Sequence, residues 1–181
     1  MKSVILITTG GTIDADPYPE SPADAPFNAI FSQTASAAAK ELSEIISKGH
    51  SDIVCNHIAY SAKDSKDITD EDIKKIATLI LQHFKETPDR ILITCGTDRI
   101  CEIAQKIKDY LPDLPCPVIF TGALIPLANG PISDGTNNLE QALFAKPDAK
   151  ADIYIAIDGF FTDPRLIYKD FEQRKFVLKE I

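Results

Sequence analysis

The sequence has no CxxC pair, no excess of basic charge, no long apolar run and no phosphate-loop signature, and each absence removes a class of function. Its four cysteines, Cys55, Cys95, Cys101 and Cys116, show neither paired nor metal-ligand spacing, so they read as reduced thiols in a cytoplasm-like compartment. Against 27 Asp and Glu stand only 19 Lys and Arg, a formal net charge of -8. With no basic face to neutralise phosphates, nucleic acid and anionic membranes are poor partners and a small soluble ligand is the better one. The apolar opening Val4 to Ile7 gives way at once to Thr8-Thr9-Gly10-Gly11, too short for a signal peptide or a membrane span, and the expected address is cytoplasmic. Neither a Walker loop nor a spaced GxGxxG is present, which leaves a phosphate ligand at the Gly10-Gly11 turn a minor reading. No internal repeat is visible.

What is there is enough for one core. At 181 residues and 44% hydrophobic content, the chain is expected to form a single domain over 1–181. Short β-rich runs alternate with segments of helical period, the pattern of an α/β fold whose strands are joined by crossover helices into a mostly parallel sheet. The strand candidates are Val4 to Ile7, Ile53 to Cys55, Ile91 to Ile93, Val118 to Phe120 and Ile153 to Ile157. Two short ones follow at Phe160 to Phe161 and Leu166 to Tyr168, before a polar tail. Ile73, Ile76, Ala77 and Ile80 recur at helical spacing, as do Ile100, Ile103, Ala104 and Ile107. Ser36 to Ile46 and Leu139 to Ala145 read as further helices, and Thr69 with Asp72 as a cap. Asp14 to Pro26 holds four prolines and three aspartates without any period, so a mobile surface loop is expected.

In open parallel sheets, ligands sit beyond the carboxyl ends of the strands. The first exit, Thr8-Thr9-Gly10-Gly11-Thr12, offers hydroxyls beside a glycine turn that lets backbone approach closely. The second gives Asp64-Ser65-Lys66-Asp67, able to hold the carboxylate and ammonium of an amino acid. The third gives Thr94-Cys95-Gly96-Thr97-Asp98-Arg99, and the fourth Thr121-Gly122-Ala123, whose N–H groups could face a developing oxyanion. Singly, each has a plainer explanation. Ser65 and Asp64 can cap a turn, Thr97 or Asp98 can cap the next helix, Lys169 can be a solvated lysine, and Tyr18 a loop anchor.

A threonine hydroxyl is a weak nucleophile at neutral pH and needs a partner to take its proton. Of the three histidines, His50 and His83 lie away from the exits and only His57, read as just beyond the second strand, comes near one, which disfavours Ser-His-Asp and Cys-His chemistry. A lysine whose ammonium is disfavoured by burial, with an adjacent carboxylate fixing its position and protonation, is the alternative base, and that role asks for a lysine near Asp98.

At this point the residues resemble the N-terminal domain of the bacterial-type L-asparaginases. Thr9-Gly10-Gly11-Thr12-Ile13 is similar to that family's first motif and Thr94-Cys95-Gly96-Thr97-Asp98 to its second. Asp64-Ser65-Lys66-Asp67-Ile68-Thr69 resembles its substrate-binding serine segment. Phe120-Thr121-Gly122-Ala123, Ser133-Asp134-Gly135-Thr136-Asn137-Asn138-Leu139 and Asp163-Pro164-Arg165-Leu166-Ile167-Tyr168-Lys169 complete the order, so the resemblance runs from Val4 to about Asp170. It implies a three-layer α/β domain of flavodoxin- or Rossmann-like topology. It also implies that Thr12 is the nucleophile and that Thr97, Asp98 and Lys169 form a relay, with Tyr18 the loop tyrosine beside Thr12. Ser65 would take a substrate carboxylate and Asp98 its ammonium. Gly11, Asp64, Lys66, Gly96 and the backbone of Ala123 would complete the pocket. The family commonly has Gln at Lys66, His at Cys95 and a small hydroxyl residue at Arg99, so two added cations are expected beside the pocket.

These resemblances imply an amidohydrolase that turns the side-chain amide of an asparagine-like amino acid into acid and ammonia, with no metal or organic cofactor. The competing expectation is an inactive relative that binds a small acidic amino acid as a sensor. In either case a homodimer or higher homo-oligomer is expected, since a half-length scaffold gains a pocket wall by pairing.

Overall fold

A run of aliphatic and β-branched residues makes Lys2–Gly10 the first strand, β1. Val4 and Leu6 enter one apolar cluster while Ile5 and Ile7 enter another, so the strand is covered on both sides. The chain is described from a computed structural model over residues 1–19, 29–32, 34–111, 113–147 and 151–180. The strands β2 (Ile53–Lys63), β3 (Arg90–Thr94), β4 (Val118–Thr121), β5 (Ile153–Ile157) and β6 (Phe160–Thr162) join β1 in a six-stranded sheet. Its order is β2-β1-β3-β4-β5-β6, parallel throughout except between β5 and β6. The chain therefore reverses direction across the sheet between β1 and β3, where open sheets of this kind form a crevice.

Among the described residues, four α-helices make the outer layers. Helices α1 (Ala37–Ser47) and α4 (Gly135–Phe144) pack Leu42, Ile45, Leu139 and Leu143 on one face. Helices α2 (Asp70–His83) and α3 (Ile100–Tyr110) pack Ile73, Ile76, Ile80, Ile103 and Ile107 on the other. The α/β fold with a mostly parallel sheet expected from the alternating pattern is what forms, in the three layers that the resemblance implies.

Asp72 ties a cap to the sheet. It completes a capping box with Thr69 at the start of α2, and it also accepts from Tyr60 Oη at 2.8 Å and from Lys63 Nζ at 3.0 and 2.9 Å. Burial opposes the charge, but Lys63, Thr69 and Tyr60 outweigh it and hold the carboxyl well below its ordinary value. Asp72→Ala should lower stability by about 2–3 kcal/mol at neutral pH in urea unfolding, since it strips a charged acceptor from four donors. Because the folded pKa is depressed, this contribution is whole above the unfolded carboxyl pKa near ~4 and drains away as pH falls through the folded value. A gap between wild type and variant that stays constant from neutral pH down to acid unfolding would contradict this assignment.

Several boundaries differ from the sequence expectation. The second strand runs on to Lys63 instead of stopping at Cys55, because as an edge strand it buries only Ile53 and has no long apolar run after it to mark its length. His57 consequently lies inside β2, where its Nε2 is 2.9 Å from Thr8 Oγ1. Helix α4 begins at Gly135, four residues before Leu139, through a Gly-Thr-Asn-Asn stretch of poor helix propensity. Asp14 is no part of a loose loop. It accepts from Ser36 Oγ at 3.0 Å and Ala38 N at 2.8 Å, anchoring the start of α1, while residues 20–26 of the expected mobile loop lie outside the described residues.

The chain after Tyr168 is also not a loose tail. Strands β7 (Ile167–Asp170) and β8 (Lys175–Leu178) form an antiparallel hairpin that buries Ile167 and Phe176 against the core. Its turn, Phe171-Glu172-Gln173-Arg174, contains none of the usual turn formers, and Arg174 takes a left-handed φ of 50°.

Candidate active site

The strand exits interlock through glycine. Gly11 has a φ of 81°, and a Cβ there would stand 2.3 Å from the backbone nitrogen of Gly96, while one on Gly96 would stand 2.8 Å from Ser65. Only hydrogen at both positions lets the exits of β1, β2 and β3 lie on one another. Thr9 Oγ1 donates to Thr94 O at 2.8 Å and Gly11 N to Lys63 O at 2.9 Å, fixing that contact. The result is a cavity of about 560 Å³ at the carboxyl end of the sheet, walled by Thr12, Tyr18, Ser65, Thr97, Asp98 and Lys169 among others.

Thr12 lies in a single 3-10 turn, Thr12–Asp14, directly after the glycines. Its Oγ1 is 3.1 Å from Tyr18 Oη. Tyr18 in turn is gripped by a residue that sequence reasoning did not single out. Asn129 accepts from Tyr18 N at 2.9 Å and donates to Tyr18 O at 2.9 Å, across 111 positions of sequence. Nothing local marks Asn129 beyond an Asn-Gly-Pro turn, and a turn signal says nothing about distant partners. Burial, aided by Asp64 and Asp98, raises the Tyr18 phenol above its ordinary pKa although Thr12 bonds it, so it stays neutral and can pass a proton in either direction.

The second group of polar residues comes from β3 and β7. Thr97 and Asp98 do not cap α3, whose N-cap is Arg99 without a side-chain bond. Instead Lys169 Nζ donates to Thr97 Oγ1 at 2.7 Å and to Asp98 Oδ1 at 2.6 Å, and lies 5.5 Å from the Phe171 ring centroid. On the other carboxylate oxygen, Lys66 Nζ sits 3.0 Å from Asp98 Oδ2. Burial works against ionising Asp98, but Lys169 and Lys66 together hold its pKa below the usual value, so it is a carboxylate at neutral pH.

Ser65 supplies the most pointed observation. It is 1% exposed, and its Oγ has no hydrogen-bond partner among the described residues, although the residue lines the cavity. A buried hydroxyl left alone is costly, and Thr94 Oγ1 is in the same position, but of the two only Ser65 lines the cavity. Asp64 beside it accepts from Lys66 N at 3.0 Å, as a turn cap does.

Other expectations are adjusted. Gly11 and Ala123 are buried and do not line the cavity. The β4 exit reaches it through Leu124 and Ile125, whose N–H groups bond Asp134. Arg99 is not a cavity cation. Its guanidinium donates to Ser65 O, Ile68 O and Glu102, fastening the Ser65 turn to α3 from behind. Cys95 is a buried thiol pushed up to about 12 by burial. None of the three histidines lines the cavity, and Phe171 and Arg174, from the hairpin turn, do.

Fold and cavity together define an open-sheet α/β protein with a cavity of mixed polar and apolar lining at its topological switch point. A family model described as Asparaginase, N-terminal, matches residues 3–171, and the chain belongs to that family. L-asparaginase 1 of Escherichia coli (strain K12) is 42% identical over 81 residues, 45% of this chain and 23% of that protein. The L-asparaginase of Thermococcus kodakarensis is 33% identical over 93 residues, 51% of this chain and 28% of that protein. Among solved structures, the thermostable L-asparaginase from Thermococcus kodakarensis superimposes with a TM-score of 0.75 at 23% identity, covering 97% of this chain and 51% of that one. A probable cytoplasmic L-asparaginase from Campylobacter jejuni gives 0.73 at 24% identity, covering 98% and 53%. At these identities the structures establish the fold. The chain spans about half the length of the solved relatives.

Proposed function

We propose that the protein is an amidohydrolase of the L-asparaginase type, acting on the side-chain amide of a small, carboxylate-bearing, asparagine-like molecule. Thr12 Oγ attacks the amide carbon as its proton passes to the neutral Tyr18 phenol, whose own proton moves on toward the amide nitrogen. The carbon–nitrogen bond breaks, the nitrogen leaves as ammonia with a proton returned to it, and water then cleaves the Thr12 ester to give the acid and free hydroxyl. Thr97, Asp98 and Lys169 form the second hydroxyl-carboxylate-amine group, which serves to move protons as the ester forms and breaks. The observation that carries this reading is the convergence of the Thr12–Tyr18 pair and the Lys169–Thr97–Asp98 cluster on one cavity, from chain segments more than seventy positions apart. Ser65, with its unpartnered hydroxyl, is the anchor for the substrate's carboxylate.

The test is ammonia release from asparagine, glutamine and simple dicarboxylic monoamides, with Thr12→Ala as the blank. A rate no higher than the blank on every amide would remove the reading. Stabilisation by aspartate in a thermal-shift assay with no turnover would favour the alternative, a binding protein that uses the same Ser65 anchor.

The four cysteines are unpaired, which fits a cytoplasmic setting. We also expect self-association, because Ile132 and Phe171, each 63% exposed, form an apolar lip on the cavity that a second copy would cover. Light scattering on a size-exclusion column should give a mass at least twice 19.9 kDa. A monodisperse monomer would contradict it.

A further inference from the structure

The charges around the cavity select among amides. Its titratable lining, among the described residues, is Tyr18, Asp64, Lys66, Asp98, Lys169 and Arg174. Both carboxylates are already engaged. Asp98 has Lys169 on Oδ1 at 2.6 Å and Lys66 on Oδ2 at 3.0 Å, and Asp64 accepts from Lys66 N at 3.0 Å and Ala29 N at 3.3 Å. A substrate amino group entering here would compete with two lysine ammoniums for Asp98 and would bring a charge of the same sign beside them. An anion meets the opposite situation. Ser65 Oγ waits without a partner, and Lys66 follows it in the chain.

We infer that Lys66 supplies, from the chain itself, the ammonium that an amino-acid substrate would have brought to Asp98, and that the site prefers the monoamide of a dicarboxylic acid without an α-amino group. The part about amides rests on the proposed hydrolysis, while the part about charge rests on the cavity alone. Lys66 is the specificity-determining residue. Its side chain is 45% exposed, so replacing it leaves the core untouched.

Calorimetric titration with succinate and with aspartate separates the two parts, alongside ammonia release from succinamic acid and asparagine. Succinate should bind at least about tenfold more tightly than aspartate, and Lys66→Gln should shift that ratio at least about tenfold toward aspartate, by restoring an open carboxylate oxygen. Circular dichroism would verify that the variant is folded. Aspartate binding as tightly as succinate, no binding of either, or a ratio unmoved by Lys66→Gln would each overturn the inference. Succinate preference without ammonia from any amide would uphold it and instead defeat the hydrolase reading. Faster release from asparagine than from succinamic acid would leave hydrolysis intact and sink the inference.

Discussion

Thr12→Ala is expected to lower kcat for amide hydrolysis by about 10⁴-fold or more, because it deletes the atom that would carry the acyl group. The fold should survive. Thr12 lies on a 3-10 turn at the cavity, and its side chain is bonded to the Tyr18 phenol. Losing one such bond at a partly exposed site costs about 1 kcal/mol, small against a rate loss of that size. Thr12→Ser, which keeps the hydroxyl, should retain a measurable rate. The rival nucleophile is Thr97, whose hydroxyl accepts from Lys169. Mass spectrometry of quenched enzyme decides between them. An acyl adduct on the Thr12 peptide supports the assignment, whereas activity that survives in Thr12→Ala and vanishes in Thr97→Ala would reverse it.

The parts of this molecule legible from sequence are those whose physics is local. The apolar period of β1, the helical spacing of Ile73 to Ile80 and the Thr69-Asp72 cap each report a neighbourhood a few residues wide, and each appears in the structure. The cavity residues Thr12, Ser65, Lys66, Thr97 and Asp98 could be named because strand exits meet in any open sheet of this order, whereas Tyr18 and Lys169 were legible only through the family resemblance. What was not legible is set by partners far away in sequence. Arg99 reads as a pocket cation until its bonds to Ser65 O and Ile68 O show it turned away. The grip of Asn129 on Tyr18 and the β7–β8 hairpin around an irregular turn belong to the same class. The hairpin matters most, because strand geometry rather than a flexible tail aims Lys169 at Thr97. Residue Lys169 pairs with Phe176, a buried residue, and that places the lysine on the inward face of the hairpin.

Lys169→Met is expected to reduce kcat by about 10³-fold with little change in KM, the mark of a group that acts on protons in the transition state. The side chain is 14% exposed, so methionine retains its packing while removing the donor that Thr97 and Asp98 share. Lys66 remains on Asp98 Oδ2, and the variant therefore keeps one counter-ion and stays folded. Lys169→Arg is the sharper test. Arginine preserves the charge beside Asp98 but cannot give up its proton near neutral pH. If Lys169 serves as a proton carrier, the arginine variant should be as inactive as the methionine one. Rescue by arginine would reduce the residue to a fixed charge that positions Thr97. The pH profile adds an independent check. Asp98 is held below its ordinary pKa by the two lysines, so the ion pairs are complete above about pH 4 and are lost only as pH falls through the lowered value. Wild-type activity should then show no acid limb from Asp98 between about pH 5 and 8. In Lys66→Gln, with one of those two cations gone, any such limb should move upward, and a limb that moves downward would contradict the pairing of Lys66 with Asp98.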